Sequence, residues 1–362
     1  MNKTRKAVLS VGLIIIMVVL VIWLSTPDRS STGKTIKIGA VIPLSGTQAH
    51  VGEGLRNALV LAQRNLGKTK YTYEVIVEDG QFDVKTSIGA AQKLINVDKV
   101  DVILDAYAPI GNAISPITEK SEVVHIGIAF DPKIAEGKYN FLLFTTPETA
   151  ARTFLAEMQK RSMGTLGIFK VNNQGILAVH DAIKMLSKEY GVTIATDETF
   201  QPGERDFRDL IARSSVKKPD LYALLALPPE LEILAKQLFD QNIRNISSTI
   251  YFELSPNKGL FEGLWSVGYS SVSTLLDNEY KTSYGKGMTF GVPNIYDSFN
   301  VIVRAAETYD GQDKPNAEYI ASHIHVLADF DGSLGKLHVN DAGIIDSPAS
   351  IKIVKNGQLV PF

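Results

Sequence analysis

The clusters whose residue types could do chemistry are best judged by their spacing. Gly52-Glu53-Gly54-Leu55-Arg56-Asn57 has the outline of a dinucleotide-binding turn, in which glycines let backbone N–H groups approach a pyrophosphate. Asn57 replaces its third glycine, and nine residues separate it from the β-rich run ending at Ile42, so it reads as a loop opening a helix. Gly33-Lys34-Thr35 and Gly67-Lys68-Thr69 lack the glycine five residues earlier that a phosphate-cradling loop needs. His323-Ile324-His325 suggests metal ligation, but residues two apart do not share a helix face. No His-x3-His or Glu-x2-His partner is near, so an exposed or packed pair is expected. A Gly-x-Ser-x-Gly nucleophile elbow is absent. The chain has no cysteine, which removes disulfides, Cys-ligated metal, a catalytic thiol and a thioether lipid anchor. No enzyme activity and no cofactor is expected.

Whatever these residues do, they must be held by a body of ordinary globular composition. The chain has 362 residues, 45% hydrophobic, 21% charged and 8% aromatic, which suits two domains of moderate size. Its formal net charge of −2 is unevenly spread: residues 1–34 carry a net +4, and the remainder holds 32 basic against 38 acidic residues. A mildly acidic body lacks the concentrated basic face that nucleic acid requires. Lys3, Arg5 and Lys6 precede an uncharged apolar run, 7–24. As a helix it would span about 27 Å, just enough to cross a bilayer core. Positive charge ahead of the run keeps residues 1–6 in the cytoplasm and places the chain beyond residue 24 outside. The run reads either as an uncleaved signal anchor or as a cleaved signal peptide. Its length, Trp23 and the lack of an Ala-x-Ala site in Leu24-Ser25-Thr26-Pro27-Asp28-Arg29 favour the anchor, with 25–34 as a polar tether. The body is then on the outer face of the cytoplasmic membrane, or, if the segment is cleaved, periplasmic or secreted.

From Thr35 onward, β-rich runs alternate with helical stripes, the pattern of parallel α/β sheets. Strands are expected at 36–42, 73–77, 100–104, 123–128, 166–169, 192–194, 221–226, 250–252 and 351–354. Helical spacing marks 52–67, 88–95, 151–158, 176–190, 231–238 and 296–306, and Lys355-Asn356-Gly357-Gln358 reads as a hairpin turn. The body is thus two doubly wound α/β lobes. Ligands of such sheets bind at the carboxyl ends of the strands, here in the cleft where the lobes face each other.

With this alternation, residues 35–362 resemble the type I periplasmic solute-binding proteins, specifically the branched-chain amino-acid binding family of ABC importers. The resemblance is carried by Ile36-Lys37-Ile38-Gly39-Ala40-Val41-Ile42-Pro43-Leu44-Ser45-Gly46 with the helix ending at Asn65, and by Glu78-Asp79 through Asp98-Lys99-Val100-Asp101. Pro202-Gly203-Glu204-Arg205-Asp206-Phe207, Pro219-Asp220, Pro229-Glu230, Tyr296-Asp297 and Phe330-Asp331-Gly332-Ser333-Leu334-Gly335 come next, in the family's order. It implies a flytrap of two lobes, 35–143 with 269–336 and 144–268 with 337–362. Crossovers are expected near 141–147, 265–269 and 335–337. It further implies a monomer that closes on a small polar ligand and docks on ABC permease subunits in the membrane. A tethered sensor or regulator using the same flytrap is the alternative.

Residue by residue, the resemblance places Ser45 and Gly46 in the first cleft loop. Val51 stands where relatives carry an aromatic. Asp105-Ala106-Tyr107-Ala108 and Phe130-Asp131 fall after the third and fourth strands, with Asp105 where a glycine and Asp131 where a threonine is expected. Gln174 and Leu227 replace an aromatic wall in the second lobe. Glu253 matches the acid that holds a ligand ammonium, and Tyr296 starts a helix at the cleft rim. Asp105, Asp131 and Glu253 together imply an amine-bearing or cationic ligand, stacked on Tyr107 or Phe130. Helix capping is the competing role for Asp131, and packing or hinge support for Tyr296 and Asp297.

Overall fold

A computed structural model describes residues 34–269, 272–289 and 291–362. The apolar run 7–24, and the tether up to residue 33, lie outside the described residues. Among the described residues no helix is long and apolar enough to cross a membrane.

The first lobe is built on β1 (Thr35–Ile42), β2 (Thr72–Asp79), β3 (Val102–Ala106), β4 (Val124–Ile128) and β5 (Asn140–Phe144). These strands are parallel in the order β5-β4-β3-β1-β2. Alternation along β1 sends Ile36, Ile38 and Ala40 to one face and Val41 to the other. Helices α1 (Ala49–Arg64), with buried Leu55 and Leu59, and α2 (Val84–Lys93) and α3 (Ala108–Ser121) complete the two helix layers. Gly52 and Gly54, the glycines of the broken fingerprint, serve packing. A Cβ at Gly52 would meet the Pro43 carbonyl oxygen at 1.9 Å, and one at Gly54 the Thr289 hydroxyl at 2.2 Å.

The second lobe holds α4 (Pro147–Lys160), β6 (Thr165–Val171), α5 (Gln174–Leu186), β7 (Thr193–Phe200), α6 (Arg208–Ser215), β8 (Leu221–Leu225), α7 (Glu230–Asp240) and β9 (Ile246–Ser247). The strands are parallel in the order β7-β6-β8-β9. Thr146 caps α4, accepting from Thr149 N at 3.1 Å, and Pro147 fills the first helical position, where a missing N–H costs nothing. The expected stripe of α4 (Ala151, Phe154, Leu155, Met158) is fully buried, each larger side chain contributing about 1.5–3 kcal/mol by leaving water. Strand β7 runs six residues past the expected 192–194. It is an edge strand whose polar, half-exposed outer positions hide its period. Residues 250–252, expected as strand, instead enter a one-turn helix, α8 (Tyr251–Leu254).

After α8 come β10 (Trp265–Tyr269), α9 (Thr274–Tyr284), α10 (Val292–Glu307) and α11 (Ala317–His325). The last elements are β11 (Phe330–Gly332), β12 (Gly335–Val339), β13 (Ile344–Asp346), β14 (Ala349–Lys355) and β15 (Gln358–Pro361). Strand β13 pairs parallel with β5, and β12 and β11 extend the first lobe's sheet antiparallel to eight strands. This corrects the expected division, which gave 337–346 to the second lobe. Ile345 pairs with Leu143 and is fully buried in the first lobe's core. Strands β10, β14 and β15 form an antiparallel sheet joined to β9 through a bridge between Ser248 and Ser266. The expected hairpin turn is present: Lys355 pairs with Gln358, and Asn356 and Gly357 have φ of 53° and 69°, as a type I′ turn demands.

The chain therefore crosses between lobes after Phe144, after Tyr269 and after Asp346. The first and third crossings are tied side by side. Thr145 Oγ1 and Ser347 Oγ lie 2.9 Å apart, and Thr146 N donates to Asp346 Oδ1 at 2.9 Å. Near the second, Ser273 N donates to the Ser333 carbonyl at 2.7 Å. Asp297 accepts from Ser333 N at 2.7 Å and Leu334 N at 3.1 Å. Burial pushes its carboxyl up to about 6 against the pull of those bonds.

Candidate functional site

The carboxyl ends of β3, β4 and β8 open onto a cavity of about 740 Å³ between the lobes. The first lobe contributes Gln48, His50, Tyr107, Ala108, Phe130 and Met288, and the second Leu227, Pro228, Glu253 and Leu254. Tyr107 begins α3 with a φ of 83°, a conformation that an L-residue enters at a cost and that clusters at ligand sites. Its backbone is over-determined: Tyr107 N donates to the Ile128 carbonyl at 3.0 Å, and its own carbonyl accepts from Ile110 N and Gly111 N. Its ring stands edge-on to Phe82 at 4.5 Å, and burial pushes its phenol up to about 12. Phe130 packs against both lobes' cores, edge-on to Phe144 at 4.1 Å; Phe144 in turn meets Tyr269 at 5.0 Å.

Glu253 is the acid of the cavity. Its Oε1 accepts from Lys352 Nζ at 2.7 Å and from Tyr269 N at 3.1 Å. Among the described residues both bonds fall on one oxygen, which leaves Oε2 as the carboxylate's available acceptor. Burial raises its pKa, opposed chiefly by the charge of Lys352. A second cavity of about 600 Å³ adjoins the first, and both are bordered by Glu253, Leu254, Met288 and Thr289.

The cavity thus brings together Tyr107, Ala108, Phe130, Leu227 and Glu253 of the residues expected at a site, along with Val51. The others lie elsewhere. Ser45 is exposed, its N–H directed to Asp79 Oδ1 at 3.2 Å, and Gly46, at a φ of 79°, turns the loop that leads into α1. Asp105 is a correction. It is fully buried, leaves β3 on the same side as Ile103, and holds His125 Nε2 at 2.8 Å. Asp131 caps the short 3₁₀ turn at Pro132–Ala135, accepting from Lys133 N at 3.1 Å and from Asn112 Nδ2 at 2.8 Å. Tyr296 accepts from Asn65 Nδ2 at 3.3 Å and lines a separate hollow on the first lobe. Gln174 opens α5, and its side chain lies outside what is described. His323 stacks on Tyr319 at 3.6 Å and His325 packs on Phe141 at 4.7 Å. Among the described residues no group of three or more His, Cys, Asp or Glu is placed to hold a metal.

Several lining residues stand outside the expected set. Gln48 and His50 could have been found, since they come after Ser45 and Gly46 in the same loop. Met288 and Thr289 precede α10 without any marking motif. Lys352 had no local signal, because its partner Glu253 is 99 residues away.

The family model described as periplasmic binding protein matches residues 35–342. The Leu/Ile/Val-binding protein BraC3 of Rhizobium johnstonii is 24% identical over 218 residues, covering 57% of this chain. The match spans only 58% of that relative's own length. Among solved structures, the branched-chain amino acid transporter substrate-binding protein LivJ of Streptococcus pneumoniae in complex with isoleucine superposes with a TM-score of 0.73. It is 18% identical, over 90% of this chain and 98% of its own. The solute-binding protein of an ABC transporter from Rhodopseudomonas palustris BisB5, in complex with 3,4-dihydroxy benzoic acid, also gives a TM-score of 0.73. It too is 18% identical, over 91% of this chain and 96% of its own. With two lobes, three crossings, a cavity at the facing strand ends and a family match over most of its length, the chain belongs to the periplasmic binding protein family.

Proposed function

We propose that the protein is the extracytoplasmic solute receptor of an ABC importer, closing its lobes on a small amino-acid-like ligand. The observation that carries this is Glu253: a carboxylate fixed by Lys352 and the Tyr269 N–H, with an acceptor oxygen to spare on a cavity walled by both lobes. An ammonium held there, with the ligand body against Tyr107 and Phe130, touches both lobes at once. Only ligand interactions that are stronger in the closed arrangement favour that state, which a permease then reads. The names of BraC3 and of the LivJ complex with isoleucine support the ligand class. The cationic ligand expected from three acids loses its support, since Asp105 and Asp131 do not line the cavity and Lys352 offsets Glu253. Residues 7–24 act in this reading as the anchor that keeps the receptor on the outer face of the membrane.

The test is a thermal-shift screen of the full chain in detergent against amino acids, polyamines, sugars and nucleosides. A ligand at a hundredfold excess over its dissociation constant adds about 2.7 kcal/mol, a shift of several degrees or slightly less. A shift with α-amino acids that disappears in Glu253→Gln supports the reading. A response confined to sugars or nucleosides overturns the ligand class.

A further inference from the structure

We propose that the second chamber is a subsite for the anionic arm of a dicarboxylic amino acid whose amino-acid head occupies the first chamber. This rests on the amino-acid reading above and narrows it. The chambers share Glu253, Leu254, Met288 and Thr289, and the proposed ligand extends past these residues from the first into the second. Their electrostatics differ. Among the described residues Glu253 is the sole acidic, lysine or arginine side chain bordering the first, whereas Lys258 and Lys352 join it around the second. Each ammonium has three N–H donors. Lys352 directs one to Glu253 Oε1 at 2.7 Å, and Lys258 directs one to the Ser255 carbonyl at 2.8 Å. Among the described residues the remaining donors have no partner and are available to an oxyanion.

Thr289 Oγ1 supplies the independent observation. At the boundary between the chambers, it is buried without a partner among the described residues, a cost that native proteins avoid. Asn294 lines the second chamber and is 6% exposed. Its Nδ2 is a donor from which a carboxylate oxygen in the chamber would accept. The volume of about 600 Å³ leaves room for an arm of several atoms and for bridging water.

The test is calorimetric titration of the full chain in detergent with L-leucine, L-glutamine, L-glutamate and L-2-aminoadipate. At least one of the two dicarboxylic amino acids is expected to bind tenfold or more tightly than glutamine, its uncharged counterpart. Lys258→Met and Asn294→Leu should each cost the dicarboxylic ligand about tenfold while leaving glutamine and leucine unchanged. Circular dichroism checks that the variants are folded. Equal affinity for glutamine and both dicarboxylic acids overturns the subsite, as does a uniform loss for all probes in both variants. Leucine binding that depends on Glu253 without any preference for a second carboxylate overturns the subsite alone. Silence toward all four probes overturns the amino-acid reading with it.

Discussion

Asp105 in the first lobe, fully buried, and Glu253 in the second, partly buried, each hold a nitrogen of another element. His125 Nε2 is 2.8 Å from Asp105 Oδ2, and Lys352 Nζ is 2.7 Å from Glu253 Oε1. They differ in what meets the other oxygen. Asp105 Oδ1 has no partner among the described residues and lies beside Gly111 and Gly127. Glu253 borders a cavity that spans the lobes, and among the described residues only its Oε1 is bonded. A carboxylate expected near the end of a strand is therefore no site by chain position alone. The side from which it leaves the backbone decides whether it serves the core or a ligand.

The sharpest way to break this comparison is to neutralise each acid and read binding and stability separately. Glu253→Gln should weaken amino-acid binding about a hundredfold or more, roughly 3 kcal/mol, by removing one partner of a desolvated contact. Calorimetry reads this, with little change in the unfolding midpoint. Asp297 adds a third acid, fully buried, with both oxygens on backbone N–H groups. Its folded pKa of about 6 lies above the ordinary 3.8, so the folded state holds the proton more tightly. Its contribution is full below pH 4 and declines as pH rises through 6, by roughly 2–3 kcal/mol. Urea titrations between pH 4 and 7 should show that slope in the parent chain and not in Asp297→Asn. Asp105→Ala should cost about 2 kcal/mol of stability by stranding the buried His125, and leave ligand affinity unchanged. The smallest effect sharpens the contrast between buried and exposed pairs. Arg213→Ala removes an exposed contact to Glu198 at 3.0 Å and should change stability by no more than about 1 kcal/mol.

The fold is legible where local pattern and burial agree. The β1 run, the α4 and α10 stripes and the Asn356-Gly357 turn each come from a period or a required positive φ. The third crossing lies later than expected because nothing local shows that Ile345 pairs with Leu143, some 200 residues earlier. Of the site, Tyr107, Phe130, Leu227 and Glu253 are reachable through chain order. Asp105 is misplaced by chain order, since its phase with Ile103 sends it to the core rather than the cleft. Lys352 and Asn294 enter only through the packing of distant segments, which no periodicity encodes.

The interleaved connectivity also bears on the order in which the protein can be made. The first lobe's sheet is incomplete without β12 and β13, and the second lobe's core takes Val354 from β14. A nascent chain that has emerged only as far as Gly335 therefore holds neither lobe in finished form. Domains usually fold in turn from the N-terminus during synthesis. Here each lobe must await the last segments of the sequence, which keeps the polypeptide loose and threadable until translation is nearly over. For the extracytoplasmic receptor proposed above, which would cross the membrane before it works, that delay is an advantage.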